Sequence, residues 1–395
     1  MQSVWAEDDQ DVVIEALRRL VRRGLLTREA GTQVYRQHVL LRAYALALLE
    51  EADELVQVSA RYVEHYRQLA QSSDWRIPEA AFDHVAHGWK SAQDGDANTV
   101  IGYLYAVQGF LYRRGRLLER IEWSSIALER ARQASDSRAE GTLLNDIGFV
   151  QRRLGRWDEA LDSFQRSLAV RREIGDSSGQ VVTLNNIGKI HQYRGLLDAA
   201  IDYFQQGLTL AQRIGDGAGE GYALINIGHI LQRRGRLDDA MSCFQRALEV
   251  YRRAGDQLGE ALALNDMGEV YHAKGQLDIA FDHYQRSLAI RREYGHLAGE
   301  AHSLKNIGRI YRDRNQMNLA LDYFQHSLEI RHEIGDRANE ATMLHETALL
   351  LEQQGETQQA IPLMERCLAI EEQLGHPNTA NVRAQLEEMK QKAQP

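Results

Sequence analysis

Residues 221–260 read GYALINIGHILQRRGRLDDAMSCFQRALEVYRRAGDQLGE, and residues 261–300 read ALALNDMGEVYHAKGQLDIAFDHYQRSLAIRREYGHLAGE. The two stretches align without a gap. Self-similarity at a fixed period of this length is the mark of a stacked repeat architecture. The register extends outward to blocks starting at 141, 181, 301 and 341, and more loosely to one starting at 101. Seven blocks therefore cover 101–380. Within block 261, apolar side chains recur at three- and four-residue steps: Leu264, Met267, Val270 and Tyr271, then Leu277, Ala280, Phe281, Tyr284 and Leu288. That is helical spacing rather than strand alternation. Each block thus reads as two amphipathic helices.

Glycine and aspartate punctuate them. Gly155, Gly195, Gly235, Gly275 and Gly355 close the first helices. The steps Gly175–Asp176, Gly215–Asp216, Gly255–Asp256 and Gly335–Asp336 close the second, with the aspartate placed to cap the next helix. Glu220, Glu260, Glu300 and Glu340 suit the positive end of that helix. A second glycine set, Gly148, Gly188, Gly228, Gly268 and Gly308, falls inside the first helices. Mid-helix glycine costs about 1 kcal/mol against alanine, so a set in register needs a packing reason. Phe164, Phe204, Phe244, Tyr284 and Phe324 provide large partners in the second helices, beside Ala160, Ala200, Ala240, Ala280 and Ala320.

These residues resemble the tetratricopeptide-repeat (TPR) motif: Leu264, Met267–Gly268, Tyr271, Gly275, Ala280, Tyr284 and Ser287 in block 261. The 40-residue period is similar to the kinesin-light-chain and Pins-type branch. The resemblance covers about 70 % of the chain. It implies an all-α, right-handed superhelical solenoid whose first helices line a concave groove. Block 341 departs, with Thr347–Ala348 for Ile-Gly and Met364 for the aromatic, as expected of a capping repeat. Residues 381–395 read as a C-terminal helical tail.

The first hundred residues differ. DVVIEALRRLVRRGLL, then TREAGTQVYRQ with a hairpin tip at Ala30–Gly31, then HVLLRAYALALLEE, resemble the end of the winged helix of STAND-type (NB-ARC-like) ATPases. Residues 1–50 are thus expected to form a small partial winged-helix segment, and 51–100 a helical linker or degenerate repeat. In that family a histidine at the position of His38 senses bound ADP. No Gly-x-x-x-x-Gly-Lys-Ser/Thr loop occurs; Gly88-Trp89-Lys90-Ser91 lacks the preceding glycine. The resemblance therefore implies the C-terminal sensor half of such a protein, or a truncated relative, with an ATPase core in cis or in trans.

Composition bounds the chemistry. A net charge of -9 argues against general nucleic-acid binding and for a soluble, cytoplasmic protein. No apolar run approaches the ~20 residues that span a bilayer, and no export signal is evident. Cys243 and Cys367 are too few for a disulfide framework and read as two half-buried thiols. His84 and His87 could share a metal, but no third ligand is near. No Gly-x-Ser-x-Gly or other catalytic context appears, so neither an enzyme site nor a cofactor is expected. Arg171–Arg172, Arg252–Arg253 and Arg291–Arg292 read as solvent-facing ends of second helices.

The candidate site is the inner face of the first helices. Position six of successive blocks holds Asp146, Asn186, Asn226, Asp266, Asn306 and Glu346. An amide offers a donor and an acceptor, so Asn186, Asn226 and Asn306 are expected to stand open and hold the backbone of an extended peptide. Lys189, Gln192, His229, Arg233, His272, Lys305, Arg309 and Arg312 join them, against Glu269 and Asp313. His191 takes the packing position of Tyr271 and Tyr311. The expected partner is a peptide or protein segment, acidic by charge complementarity. Two functions remain open: a sensor scaffold, or a regulatory subunit that inhibits a partner enzyme or transcription factor under a peptide signal.

Overall fold

The computed structural model describes residues 26–28, 35–37, 79–113, 115–374 and 378–393. His38, the hairpin tip and the linker up to residue 78 lie outside the described residues. Strands β1 (Leu26–Arg28) and β2 (Tyr35–Gln37) pair antiparallel, with Thr27 opposite Arg36. From residue 79 every described element is a helix.

The chain divides into two compact units, 1–170 and 171–395. In the first, α1 (Glu79–Ala92), α2 (Ala97–Arg113), α3 (Leu117–Gln133), α4 (Ser137–Arg153) and most of α5 (Trp157–Glu173) follow in order. Their core is aromatic at one end, where Trp89 stacks on Trp123 at 4.8 Å. The Tyr103 hydroxyl donates to the Val85 carbonyl at 2.8 Å.

The second unit continues the pairing: α6 (Ser177–Tyr193) with α7 (Leu197–Ile214), α8 (Gly217–Arg233) with α9 (Leu237–Ala254), and α10 (Gln257–Ala273) with α11 (Leu277–Glu293). Then α12 (Leu297–Asp313) pairs with α13 (Met317–Glu333), and α14 (Arg337–Gln353) with α15 (Thr357–Leu374). A single helix, α16 (Thr379–Lys392), packs on α15. Helices of each pair pack on one another, and each second helix packs on the next first helix. No helix among the described residues is long and apolar enough to cross a membrane.

The mid-helix glycines have a steric cause. A β-carbon on Gly148 would sit 2.8 Å from the Phe164 ring. On Gly188, Gly228, Gly268 and Gly308 it would sit 2.4–2.7 Å from Phe204, Phe244, Tyr284 and Phe324. Those aromatic side chains are fully buried. At the turn between paired helices the backbone is left-handed, with φ 73° at Gly275; Asn315 supplies the same conformation in block 301 with φ 59°.

The helix caps follow the aspartates in part. Asp136, Asp176, Asp216 and Asp256 each accept from the amide three residues on, at 2.8–3.0 Å. Asp336 does not; its carboxylate accepts from Arg331 at 3.0 Å instead. Arg331 is buried, and two arginines placed like it, Arg171 and Arg291, correct the expectation of solvent-facing pairs. Arg171, Arg291 and Arg331 are buried, while Arg172, Arg252, Arg253 and Arg292 are exposed. Arg291 reaches the next first helix and donates to the Gly299 carbonyl at 2.7 Å and the Ser303 hydroxyl at 3.0 Å. Burial pushes its guanidinium down to about 10.

Candidate functional site

Helical geometry places side chains at i, i+4, i+7 and i+11 in one stripe. On α6 these are Val182, Asn186, Lys189 and Tyr193; on α8, Tyr222, Asn226, His229 and Arg233; on α12, His302, Asn306, Arg309 and Asp313. The stripe is not an open row of amides. In three successive repeats the residue at position nine meets position six of the next repeat. His229 Nε2 lies 3.0 Å from Asp266 Oδ2. Glu269 Oε1 accepts from Asn306 Nδ2 at 3.2 Å. Arg309 grips Glu346 through both Nε, at 2.9 Å, and Nη2. The three contacts form a ladder across α8, α10, α12 and α14.

This ladder buries residues expected to stand open. Asn226 is 1 % exposed, Asp266 2 % and Asn306 2 %. Asn226 Nδ2 donates to the Tyr222 carbonyl of its own helix at 2.8 Å. Asn306 also donates to Asn265 Oδ1 at 3.2 Å, and Asn265 Nδ2 to Glu269 at 3.3 Å. The donor capacity a peptide would need is spent inside the protein. Asn186, Lys189, Gln192, His272, Lys305, Arg309 and Arg312 are half-buried, and Arg233 is exposed. Asp146 is half-buried on α4 in the first unit. His191 stacks on Tyr203 at 5.1 Å, as Tyr311 does on Tyr323 at 5.2 Å.

Two apolar residues enlarge the candidate surface. Val182 is 48 % exposed and Tyr222 39 %. They occupy position two, where Thr142, His302 and Thr342 stand in other blocks. With Leu262 in block 261 the column mixes polar and apolar residues, which is the signal that marks it as a surface rather than a core column.

The electrostatics follow from burial and pairing. Burial opposes ionisation of Glu269, but the His302 hydrogen bond and the charge of Lys305 hold its carboxyl below the usual range. Burial and nearby Arg309 push Lys305 down to about 8. Burial pulls His229 down, yet Asp266 outweighs it and the imidazole ends raised. His302 is lowered by burial. The thiols of Cys243 and Cys367 are both pushed up by burial, Cys367 to about 12. Among the described residues no group of His, Cys, Asp and Glu could hold a metal.

The opposite shifts of the two histidines predict opposite pH effects. The raised His229 contributes stability that is present below about pH 6.5, the unfolded value, and lost as pH rises through its folded pKa. The depressed His302 contributes stability above that value, lost as pH falls through its folded pKa. His229→Gln should therefore cost more at pH 6 than at pH 8, and His302→Gln more at pH 8 than at pH 6. Thermal melts between those pH values check this; a pH effect of the same sign in both variants would exclude it.

The tetratricopeptide-repeat family pattern matches six overlapping windows: 109–173, 139–213, 180–253, 220–293, 259–333 and 299–373. The chain is a tetratricopeptide-repeat protein. Among solved structures, this TPR protein is similar to a Rap protein complexed with competence and sporulation factor. There the TM-score is 0.58 and identity 15 %, over 85 % of this chain and 97 % of that one. It is similar to the Rap conjugation gene regulator of plasmid pLS20 in complex with the Phr* peptide, with TM-score 0.57 and 14 % identity, over 94 % and 92 %. It is also similar to a STAND protein with a tetratricopeptide-repeat sensor from Pyrococcus horikoshii. That TM-score is 0.55 at 14 % identity, covering 96 % of this chain and 55 % of that chain. At these identities the likeness is one of fold. No curated protein matches the chain.

Proposed function

We propose that the first-helix face of the second unit captures an extended peptide or protein segment, as the sensor of a cytoplasmic STAND-type signalling protein. The observation that carries this reading is the open part of the stripe. Exposed Val182 and Tyr222 lie on α6 and α8, which also carry Lys189 and Arg233, while Lys305 and Arg312 lie further along the array on α12. Apolar anchors with a charged margin are what a peptide groove requires. The carboxylates among them, Asp266, Glu269, Asp313 and Glu346, already face partners within the protein. Arg233 and Lys305, which make no ion pair among the described residues, are the cations that favour an acidic segment. Asn186 remains in the proposed surface, while Asn226 and Asn306 support it from beneath.

A second reading has its own support. The neighbour solved with the Phr* peptide is a gene regulator. A regulatory subunit that inhibits a partner enzyme or transcription factor, and is switched by a peptide, fits the same groove. Recovery of nucleotide-binding oligomers with the protein favours the sensor; a stable one-to-one complex favours the regulator.

The groove is tested by selecting binders from a displayed library of seven-residue peptides. Arg233→Glu with Arg312→Glu should keep the helical spectrum and lose roughly tenfold or more in affinity, with the remaining affinity less sensitive to salt. Arg246→Glu with Arg286→Glu, on exposed second-helix positions, should leave binding unchanged. The reverse pattern moves the binding surface to the second helices.

A further inference from the structure

We propose that Lys305 is a modification site: of the six lysine amines, its own is the one that acyl phosphates acylate first. The chain has six lysines, and the other five are placed differently. Lys274 Nζ lies 2.6 Å from Asp238, Lys390 2.9 Å from Glu365, and Lys392 3.0 Å and 2.8 Å from Glu352 and Glu388. Lys189 is also partnered, and Lys90 is exposed to water. Lys305 is half-buried on α12 with no carboxylate within salt-bridge distance among the described residues.

The acids nearest to it are engaged elsewhere. Glu269 on α10 holds Asn306, Asn265 and His302. Glu346 on α14 holds Arg309. Two further cations act on Lys305, Arg309 one turn on and Arg331 on α13. Glu269 and Glu346 favour the ammonium, but burial and the two arginines outweigh them. An amine removed from water beside other cations, with no carboxylate at salt-bridge distance, is the setting that activates a lysine as a nucleophile. Its amine titrates near 8.

The reactivity can be sized. At pH 7.5 an amine titrating near 8 is about one quarter neutral, against about one in a thousand for an ordinary lysine. A less basic amine is a poorer nucleophile; with the slope of about 0.4–0.5 known for thiols, this removes roughly tenfold. An advantage on the order of tenfold remains. In the reaction the amine lone pair attacks the acyl carbonyl carbon. The bond from that carbon to the phosphate oxygen breaks, and inorganic phosphate leaves with the electron pair. The proton on nitrogen passes to water. The amide that forms is neutral, so α12 loses a positive charge beside the stripe.

Lys305 also lies in the proposed peptide surface, but this inference does not rest on that reading. The native full-length protein is treated with acetyl phosphate across pH 7–9.5, and acetylation at each lysine is quantified by peptide mass spectrometry. Lys305 should label about tenfold faster than Lys90 and Lys274 at pH 7.5, with a rate that levels off above about pH 8. Lys390 and Lys392, whose carboxylate partners favour the ammonium, should keep accelerating to the top of the range. In 8 M urea the preference should vanish. Equal or slower labelling of native Lys305, a rate that climbs unbroken through pH 9.5, or a preference that survives denaturation would each overturn the assignment.

Discussion

Phe244→Ala should lower the unfolding free energy by about 3–5 kcal/mol, as for other large aromatics cut from a packed core, and Gly228→Ala should change sign in that background. The Phe244 ring is fully buried and lies over Gly228, where a β-carbon would meet it at 2.4 Å. In the wild-type chain, alanine at 228 gains about 1 kcal/mol of helix propensity. It must also move a ring held on all sides, and overpacking of that kind costs about 1–3 kcal/mol. Gly228→Ala alone should therefore be neutral to destabilising. Once Phe244 is alanine the collision is gone and the propensity gain is left, so the same substitution should stabilise. Urea unfolding of the four proteins measures the cycle. Additive effects would mean that the glycine is retained for some reason other than the ring. The site should feel the change too: His229 packs edge-on against Phe244 at 5.5 Å, so loosening the ring should weaken its contact with Asp266.

The glycine and aromatic columns are legible in the sequence because each glycine and its ring belong to one repeat. Their spacing is fixed by a single helical hairpin and recurs down the alignment. The same holds for the caps at Asp176, Asp216 and Asp256, which bond three residues away. The residues that sequence alone misplaces are those that depend on contacts between repeats. Asp336 resembles the other caps, but buried Arg331 draws its carboxylate away. Arg171 and Arg291 resemble ends of exposed helices, yet the next first helix covers them. Asn226, Asp266 and Asn306 read as open because position six is polar in every block from 141 on. Asn226 bonds the Tyr222 carbonyl of its own helix, but the neighbours of Asp266 and Asn306 lie one repeat away, at position nine, and that pairing is present in the alignment when read across it. His229 with Asp266, Glu269 with Asn306, and Arg309 with Glu346 are complementary donor and acceptor pairs. Reading down a column shows only that a position is polar; reading between columns shows whether its polarity is already matched. The open positions are then those with no complement in the next block, such as Val182, Tyr222 and Lys305.

Deleting residues 379–395 should destabilise the second unit by several kcal/mol and make the protein prone to aggregate. By sequence, block 341–380 is the cap of the array and residues 381–395 are a tail. In the structure the buried layer runs on into α16, where Val382, Leu386 and Met389 are 0–3 % exposed. They belong to one cluster with Leu350, Met364, Cys367 and Ile370. Each fully buried side chain of this kind is worth about 1.5–3 kcal/mol, and the face of α14 and α15 they leave would add to the exposed apolar surface. The ion pairs around them, Arg383–Glu372, Lys390–Glu365 and Lys392–Glu352, are largely in water and contribute little. Arg383→Gln, Lys390→Gln and Lys392→Gln together should leave the melting temperature nearly unchanged, while Val382→Asp with Leu386→Asp should reproduce the deletion. In a repeat array each unit is stabilised by its neighbours, so fraying that starts at α15 spreads toward α14 and to Glu346, the partner of Arg309. Losing the cap should therefore weaken any ligand held near Arg312 before one held near Arg233. If the shortened chain melts like the full one, α15 closes the array alone and α16 is an appendage.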